Sequence, residues 1–197
     1  GDFNPAEEPE KMEGWKRKTK PPIVVDRYRF KRDYAGYLQR FHDHLYVFDI
    51  ATKKSEQITS GGFDDSNPSW SPDGTRIAFV SKRPQGDPDR SGDSNIYVVD
   101  AKPGATPKVL TTFEGEDGGR PAWSPDGREI AYLQSDETKW FAYDQAKLAI
   151  VPASGGSARL LTASLDRAVS SPKWSADGRH LYFTVEDDRA VYLARVA

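Results

Sequence analysis

At 197 residues the chain can bury a substantial core as one domain or two, and its formal net charge of -2, with charged residues at 29%, gives no global pull toward nucleic acid or an anionic membrane. No apolar run approaches the length needed to cross a bilayer as a helix, and no signal peptide is visible; a chain opening abruptly at Gly1 is expected to lack its native N-terminus. The absence of cysteine excludes disulfides, thiol catalysis and Cys-ligated zinc, and leaves cytoplasm and periplasm both open.

Residues 1–22 are charged and proline-bearing, without apolar periodicity, and read as a linker or surface insertion. The run Lys16 to Lys20 is a solvated part of that linker, with a basic tether as the alternative. From Ile23 strands are predicted. Residues 23–31 end in strict alternation, with Tyr28 and Phe30 on one face and Arg27, Arg29 and Lys31 on the other. Interleaved aromatics and arginines also suit a single-stranded nucleic-acid platform. Here the two residue types point to opposite faces, so no nucleic-acid partner is predicted. Strands follow at 44–50 and 56–59, joined by the polar turn 51–54. His42 and His44 would lie on one side of a strand as metal ligands do; with only His180 besides, no third ligand is apparent, and they read as polar edge residues.

A pentapeptide then sets a beat. Trp70-Ser71-Pro72-Asp73-Gly74 returns as Trp123-Ser124-Pro125-Asp126-Gly127 and, with one change, as Trp174-Ser175-Ala176-Asp177-Gly178. The intervals from Trp70 to Trp123 and from Trp123 to Trp174 are 53 and 51 residues, the period of a repeated structural unit. Pro presets the second position of a type I turn, Asp tolerates the third, and Gly accepts the left-handed conformation that closes a hairpin loop. Each pentapeptide is therefore a hairpin corner, and the Trp before it is expected between neighbouring sheets. Burying one aromatic side chain is worth roughly 4–6 kcal/mol as an upper estimate.

Each beat heads a set of strands. The first complete unit predicts strands at 68–71, 76–81, 95–100 and 108–111; the second maps onto it at 122–123, 129–133, 147–151 and 159–162; the last gives 173–174, 180–185 and 190–196, with no fourth strand. Four antiparallel strands per repeat make a propeller blade. The predicted fold is all-β, a partial β-propeller of about four blades: a linker at 1–22, a first and irregular blade at 23–60, and blades at 61–113, 114–162 and 163–197, the last incomplete. Open strand edges in such an arc predict the remaining blades, or a homo-oligomer, as partners.

Alternating strand direction sorts the loops. Asp73, Asp126 and Asp177 fall on one face of the ring. The opposite face collects Asp64-Asp65, the run Asp87 to Asp93, residues 114–117, Asp166-Arg167 and the aromatic insertion Trp140-Phe141-Ala142-Tyr143. Asp87, Asp89, Arg90, Trp140, Phe141, Tyr143, Asp166 and Arg167 are the expected contact face, with loop solvation as the plainer account of the same residues. Asp87, Asp89, Ser91, Gly92 and Asp93 imitate the start of a calcium loop, but Val98 stands where the bidentate Glu belongs, so a polar inter-strand loop is the reading and no metal or other cofactor is predicted. No Gly-x-Ser-x-Gly, phosphate loop or dinucleotide fingerprint occurs; Gly155-Gly156-Ser157-Ala158-Arg159 lacks the last glycine. No catalytic residue is predicted in this chain.

The Trp-Ser-Pro-Asp-Gly beat resembles that of the propellers of TolB, of tricorn protease and of the prolyl oligopeptidase family. Three ordered stretches narrow the resemblance: residues 22–31 with Gly36-Tyr37-Leu38, residues 44–50 leading to Gln57-Ile58-Thr59, and Asp87-Pro88-Asp89-Arg90 before Ile96 to Asp100. With Leu165-Asp166-Arg167 and Glu186 to Arg189, they are similar to blades of the dipeptidyl-peptidase and acylaminoacyl-peptidase branch, over residues 22–197. The resemblance implies a propeller of seven or eight blades over a C-terminal α/β-hydrolase domain with a Ser-Asp-His triad. It implies a role in admitting and positioning peptide substrates. No residue here matches the triad's motif, and the adjacent pair Glu7-Glu8 lies outside the context of a family amino-terminus site, so neither role is carried over. The alternative is a TolB-like propeller that binds proteins without enzymatic activity.

Overall fold

A computed structural model describes residues 22–38, 41–135, 143 and 145–197. In chain order the strands are β1 (Lys31–Arg32), β2 (Gly36–Tyr37), β3 (Tyr46–Asp49), β4 (Lys54–Gln57), β5 (Asp65–Trp70), β6 (Arg76–Ser81), β7 (Asn95–Asp100) and β8 (Lys108–Val109). Then come β9 (Asp117–Trp123), β10 (Glu129–Gln134), β11 (Lys147–Pro152), β12 (Arg159–Leu160), β13 (Val169–Trp174), β14 (Leu181–Asp187) and β15 (Ala190–Val196). One short 3-10 turn, Pro88–Arg90, is the only helical element among the described residues. Every named pairing is antiparallel between sequence neighbours, giving two four-stranded sheets, β5 to β8 and β9 to β12, one three-stranded sheet, β13 to β15, and the hairpins β1-β2 and β3-β4. The architecture is an all-β, partial propeller. Residues 23–60, expected as one irregular blade, form two separate two-stranded sheets.

The sheets stack face to face, which is why the middle strands are apolar on both faces. From β6 and β7, Ala78, Val80, Ile96 and Val98 pack forward onto Ile130, Tyr132, Ala149 and Val151 of the next sheet. On the other side of the same strands, Ile77, Phe79, Tyr97 and Val99 pack backward onto Leu45 and Ile58. Ala131, Leu148 and Ile150 then meet Val169, Leu181 and Phe183. Strand β15 alternates instead: Ala194 and Val196 join the last core, while Val191 and Leu193 project from the uncovered face, 69% and 75% exposed.

The pentapeptide turns are built alike. Ser71 Oγ donates to Asp73 Oδ1 at 2.6 Å and accepts from Arg76 N at 2.9 Å, and Gly74 N donates to Ser71 O at 2.9 Å. Ser124 with Asp126, and Ser175 with Asp177, repeat the arrangement. The hydrogen bonds from Ser71 and Thr75 hold the Asp73 carboxyl down at about 2. The three glycines take φ of 69°, 70° and 69°, the conformation that only glycine adopts without strain. The turns also touch from blade to blade, since a Cβ on Gly127 would meet Pro72 Cδ at 3.7 Å and one on Gly178 would meet Pro125 Cδ at the same distance.

Trp123 is 8% exposed and its Nε1 donates to Ser69 O of the preceding inner strand at 3.1 Å. Trp174 Nε1 likewise reaches Ala122 O at 2.9 Å. Trp70 corrects the expectation of three equivalent anchors: it is 50% exposed. The reason is topological. The sheet before it, β3-β4, contributes two strands, and among the described residues no inner strand precedes β5 to offer the carbonyl that Ser69 and Ala122 offer.

Candidate functional site

The inner strands β5, β9 and β13 run the same way, so their first residues and the loops between second and third strands share one face of the arc. There the expected contact residues have separate fates. Asp87 caps the 3-10 turn, accepting from Asp89 N at 3.0 Å. Asp89 is held by residues 27–29: Arg27 Nε and Nη2 donate to its two oxygens at 2.8 and 2.7 Å, and Arg29 N donates to it at 3.0 Å. The Arg27 guanidinium also donates to Phe41 O, and the Arg90 guanidinium stacks on the Tyr28 ring at 4.2 Å. Asp166 and Arg167 lie apart from these, with Arg167 Nε donating to Asp187 at the end of β14. Tyr143 is 87% exposed, and Trp140 and Phe141 lie outside the described residues.

Residues 27–29 and 87–90 thus form a clamp. Both ion-pair side chains are largely covered, 12% and 9% exposed, and the Arg27 hydrogen bonds hold the Asp89 carboxyl below the usual carboxylate range. A carboxyl lowered on folding contributes stability above its unfolded value and loses it as pH falls through the depressed one. Arg27→Ala is expected to free the segment 22–41: limited proteolysis should cut it several-fold faster, with the sheet cores unaffected, because the clamp lies outside all three. Unchanged cleavage would mean that Arg27 does not hold the strap.

Two of the carboxylates expected on this face are turned inward. Asp65 and Asp117, each at the start of an inner strand, are 4% and 0% exposed. Asp65 Oδ1 accepts from Arg83 Nη2 at 2.8 Å, and His44 Nδ1 lies 3.8 Å from the other oxygen. Arg83 is itself packed over the rings of Phe63, Phe79 and Tyr97, 5.0 to 5.6 Å from their centroids. Asp117 Oδ1 accepts from Gln134 Nε2 at 3.0 Å. Burial pushes the Asp117 carboxyl up to about 6, aided by the Asp93 charge and opposed by Thr111 and Gln134. The folded chain therefore holds this proton more tightly than the unfolded one, so the contribution of Asp117 to stability is greatest below about pH 4 and is lost as pH rises through about 6. Asp117→Asn should remove that slope and gain about 1–3 kcal/mol near neutral pH, read from urea unfolding on either side of the transition. A slope that persists in the variant would assign it to another group.

Arg83 and Arg27 were not legible as site residues, since nothing local marks which carboxylate each will meet. Asp65 and Asp117 carried a weak signal in their similar distances before Trp70 and Trp123. The inner strands also form a concave wall that sequence reading missed, a groove of about 800 Å³ running along β5, β9 and β13.

Stacked antiparallel sheets of this kind, headed by Trp-anchored hairpin corners, define a propeller module. The chain belongs to the TolB beta propeller domain family, whose sequence profile matches residues 37–197. It is 38% identical over 120 residues to the peptidase YuxL of Bacillus subtilis (strain 168), covering 61% of this chain and 17% of that protein. It is 35% identical over 180 residues to dipeptidyl-peptidase 5 of Arthroderma otae, covering 81% of this chain and 24% of the relative. The chain thus spans a quarter or less of these relatives. Among solved structures, acylaminoacyl peptidase of Pyrococcus horikoshii superposes with a TM-score of 0.63 at 16% identity, over 92% of this chain and 27% of that one. TolB from Acinetobacter baumannii gives 0.60 at 22% identity, over 77% and 34%. These two likenesses concern the fold.

Proposed function

We propose that this chain is the non-catalytic propeller part of a serine peptidase of the dipeptidyl- and acylaminoacyl-peptidase kind, gating and helping to position peptides for a C-terminal α/β-hydrolase domain. The observation that carries the reading is the 35% identity to dipeptidyl-peptidase 5 across 81% of the chain. The sequence contains no Gly-x-Ser-x-Gly that could serve as the nucleophile motif, so the chemistry is assigned to the hydrolase domain.

The test is made on two proteins. The complete reading frame should encode strand-turn-helix patterning around a Gly-x-Ser-x-Gly, and its product should cleave dipeptidyl or aminoacyl anilides in a reaction blocked by a serine reagent. Residues 1–197 alone should show no turnover. A frame closing soon after one more blade would sink the peptidase reading and favour the TolB-like alternative, a protein-binding propeller, which the family match itself supports. Serine-reagent-sensitive turnover by residues 1–197 would overturn the non-catalytic assignment.

A further inference from the structure

We propose that the concave wall formed by the inner strands β5, β9 and β13 is a binding groove for acidic, extended peptide segments. This names a substrate class for the peptidase reading and rests on it only in calling the bound peptide a substrate; the binding is a property of this chain.

Charge is the first observation. Arg120 of β9 and Lys173 of β13 are the charged side chains lining the groove, and no carboxylate lines it. Both are exposed, and neither has a carboxylate partner among the described residues. Arg120 is held in place, because its Nε donates to Pro68 O across the gap between sheets at 3.2 Å, which leaves its remaining N–H groups for an anion. The corner carboxylates of Asp73, Asp126 and Asp177 are turned back into their own turns by Ser71, Ser124 and Ser175. In a chain whose net charge is -2, a wall with two cations and no anion is a local inversion of sign.

Backbone shape is the second. Every inner strand breaks register at the same place, with a left-handed residue in the bulge: Asn67 at φ 53°, Gly119 at 69° and Ser171 at 55°. The bulge is built in. At Gly119 a Cβ would lie 2.9 Å from Leu133 Cδ1, so a larger residue there would have to displace that side chain. A bulge takes a residue out of the sheet ladder, and Ser171, within the bulge of β13, is exposed on the wall. Hydroxyls and freed backbone groups suit the peptide units of an extended chain, while the indole edges and prolines of the wall suit its side chains.

The test uses residues 1–197 and a fluorescein-labelled Glu/Gly/Ser peptide, its Gln-for-Glu isostere and an oligothymidine of equal charge, read by fluorescence anisotropy. The acidic peptide should bind, with affinity falling as salt is raised, and the isostere should bind more weakly. Lys173→Gln and Arg120→Gln should each weaken binding about fivefold and the double variant about twentyfold. Lys108→Gln, on the outer strand β8, should leave it unchanged. The Lys173 side chain makes no hydrogen bond or ion pair among the described residues, so its variant stands even if Arg120→Gln perturbs the bulge. Equal binding of the isostere, indifference to the double variant, or equal competition by the oligothymidine would each overturn the proposal. None of these results bears on whether the complete protein hydrolyses peptides, which the anilide assay decides separately.

Discussion

Trp123→Ala is expected to cost the chain about 3–5 kcal/mol, read as a shift in the urea unfolding midpoint, the larger of the losses predicted for the three repeated tryptophans. The indole is 8% exposed, belongs to the core between the two four-stranded sheets, donates to Ser69 O, and carries the Arg76 guanidinium over its ring at 4.9 Å. Removing it leaves a cavity between two sheets and an unmatched carbonyl, and the collapse that would fill the cavity is resisted by the strands on either side. Trp174→Ala should cost less, because that indole is only half-buried although it keeps the same hydrogen bond. Trp70→Ala should cost the least, since half its surface already meets water. Equal losses at the three positions would show that the pentapeptide alone, and not the sheet before it, sets the contribution of each tryptophan.

Arg83→Ala is expected to cost about as much, about 3–5 kcal/mol, for a different reason. The Asp65 side chain has no exposure, and Arg83 supplies its charged partner at 2.8 Å. Truncating the arginine leaves a carboxylate enclosed with His44 and strips the cation from above Phe63, Phe79 and Tyr97. The loss should be largely one of unpaired charge. The double variant Asp65→Asn/Arg83→Met should therefore recover part of the stability lost in Arg83→Ala, since it removes the charge and refills the space over the rings. If the double variant is less stable than the single one, the ring contacts outweigh the ion pair.

The two predictions concern the two kinds of contact that hold the arc together. One is the stacking of sheet on sheet, repeated at each blade step. The other is particular to one place, where Arg83, just after β6, meets Asp65 at the start of β5. The clamp of Arg27 on Asp89 is of the second kind and spans 62 residues of sequence. It brings together two of the stretches that carry the family resemblance, and so gives a physical reason for their occurring in one chain.

What the sequence determined by itself is what five consecutive residues can fix. The Ser, Asp and Gly of each corner make their hydrogen bonds within the turn, so the corners, their period and the strands that flank them are set locally, and with them an all-β repeat fold. The tertiary structure alone decided which copy of an identical pentapeptide has a buried tryptophan, because Trp70 and Trp123 differ in the sheet that is packed before them. It likewise decided that Asp65 and Asp117 turn inward while Arg120 and Lys173 face an open wall. Burial and ion pairing depend on the sheet that arrives from fifty residues away, and in a repeat protein each unit is completed by its neighbour.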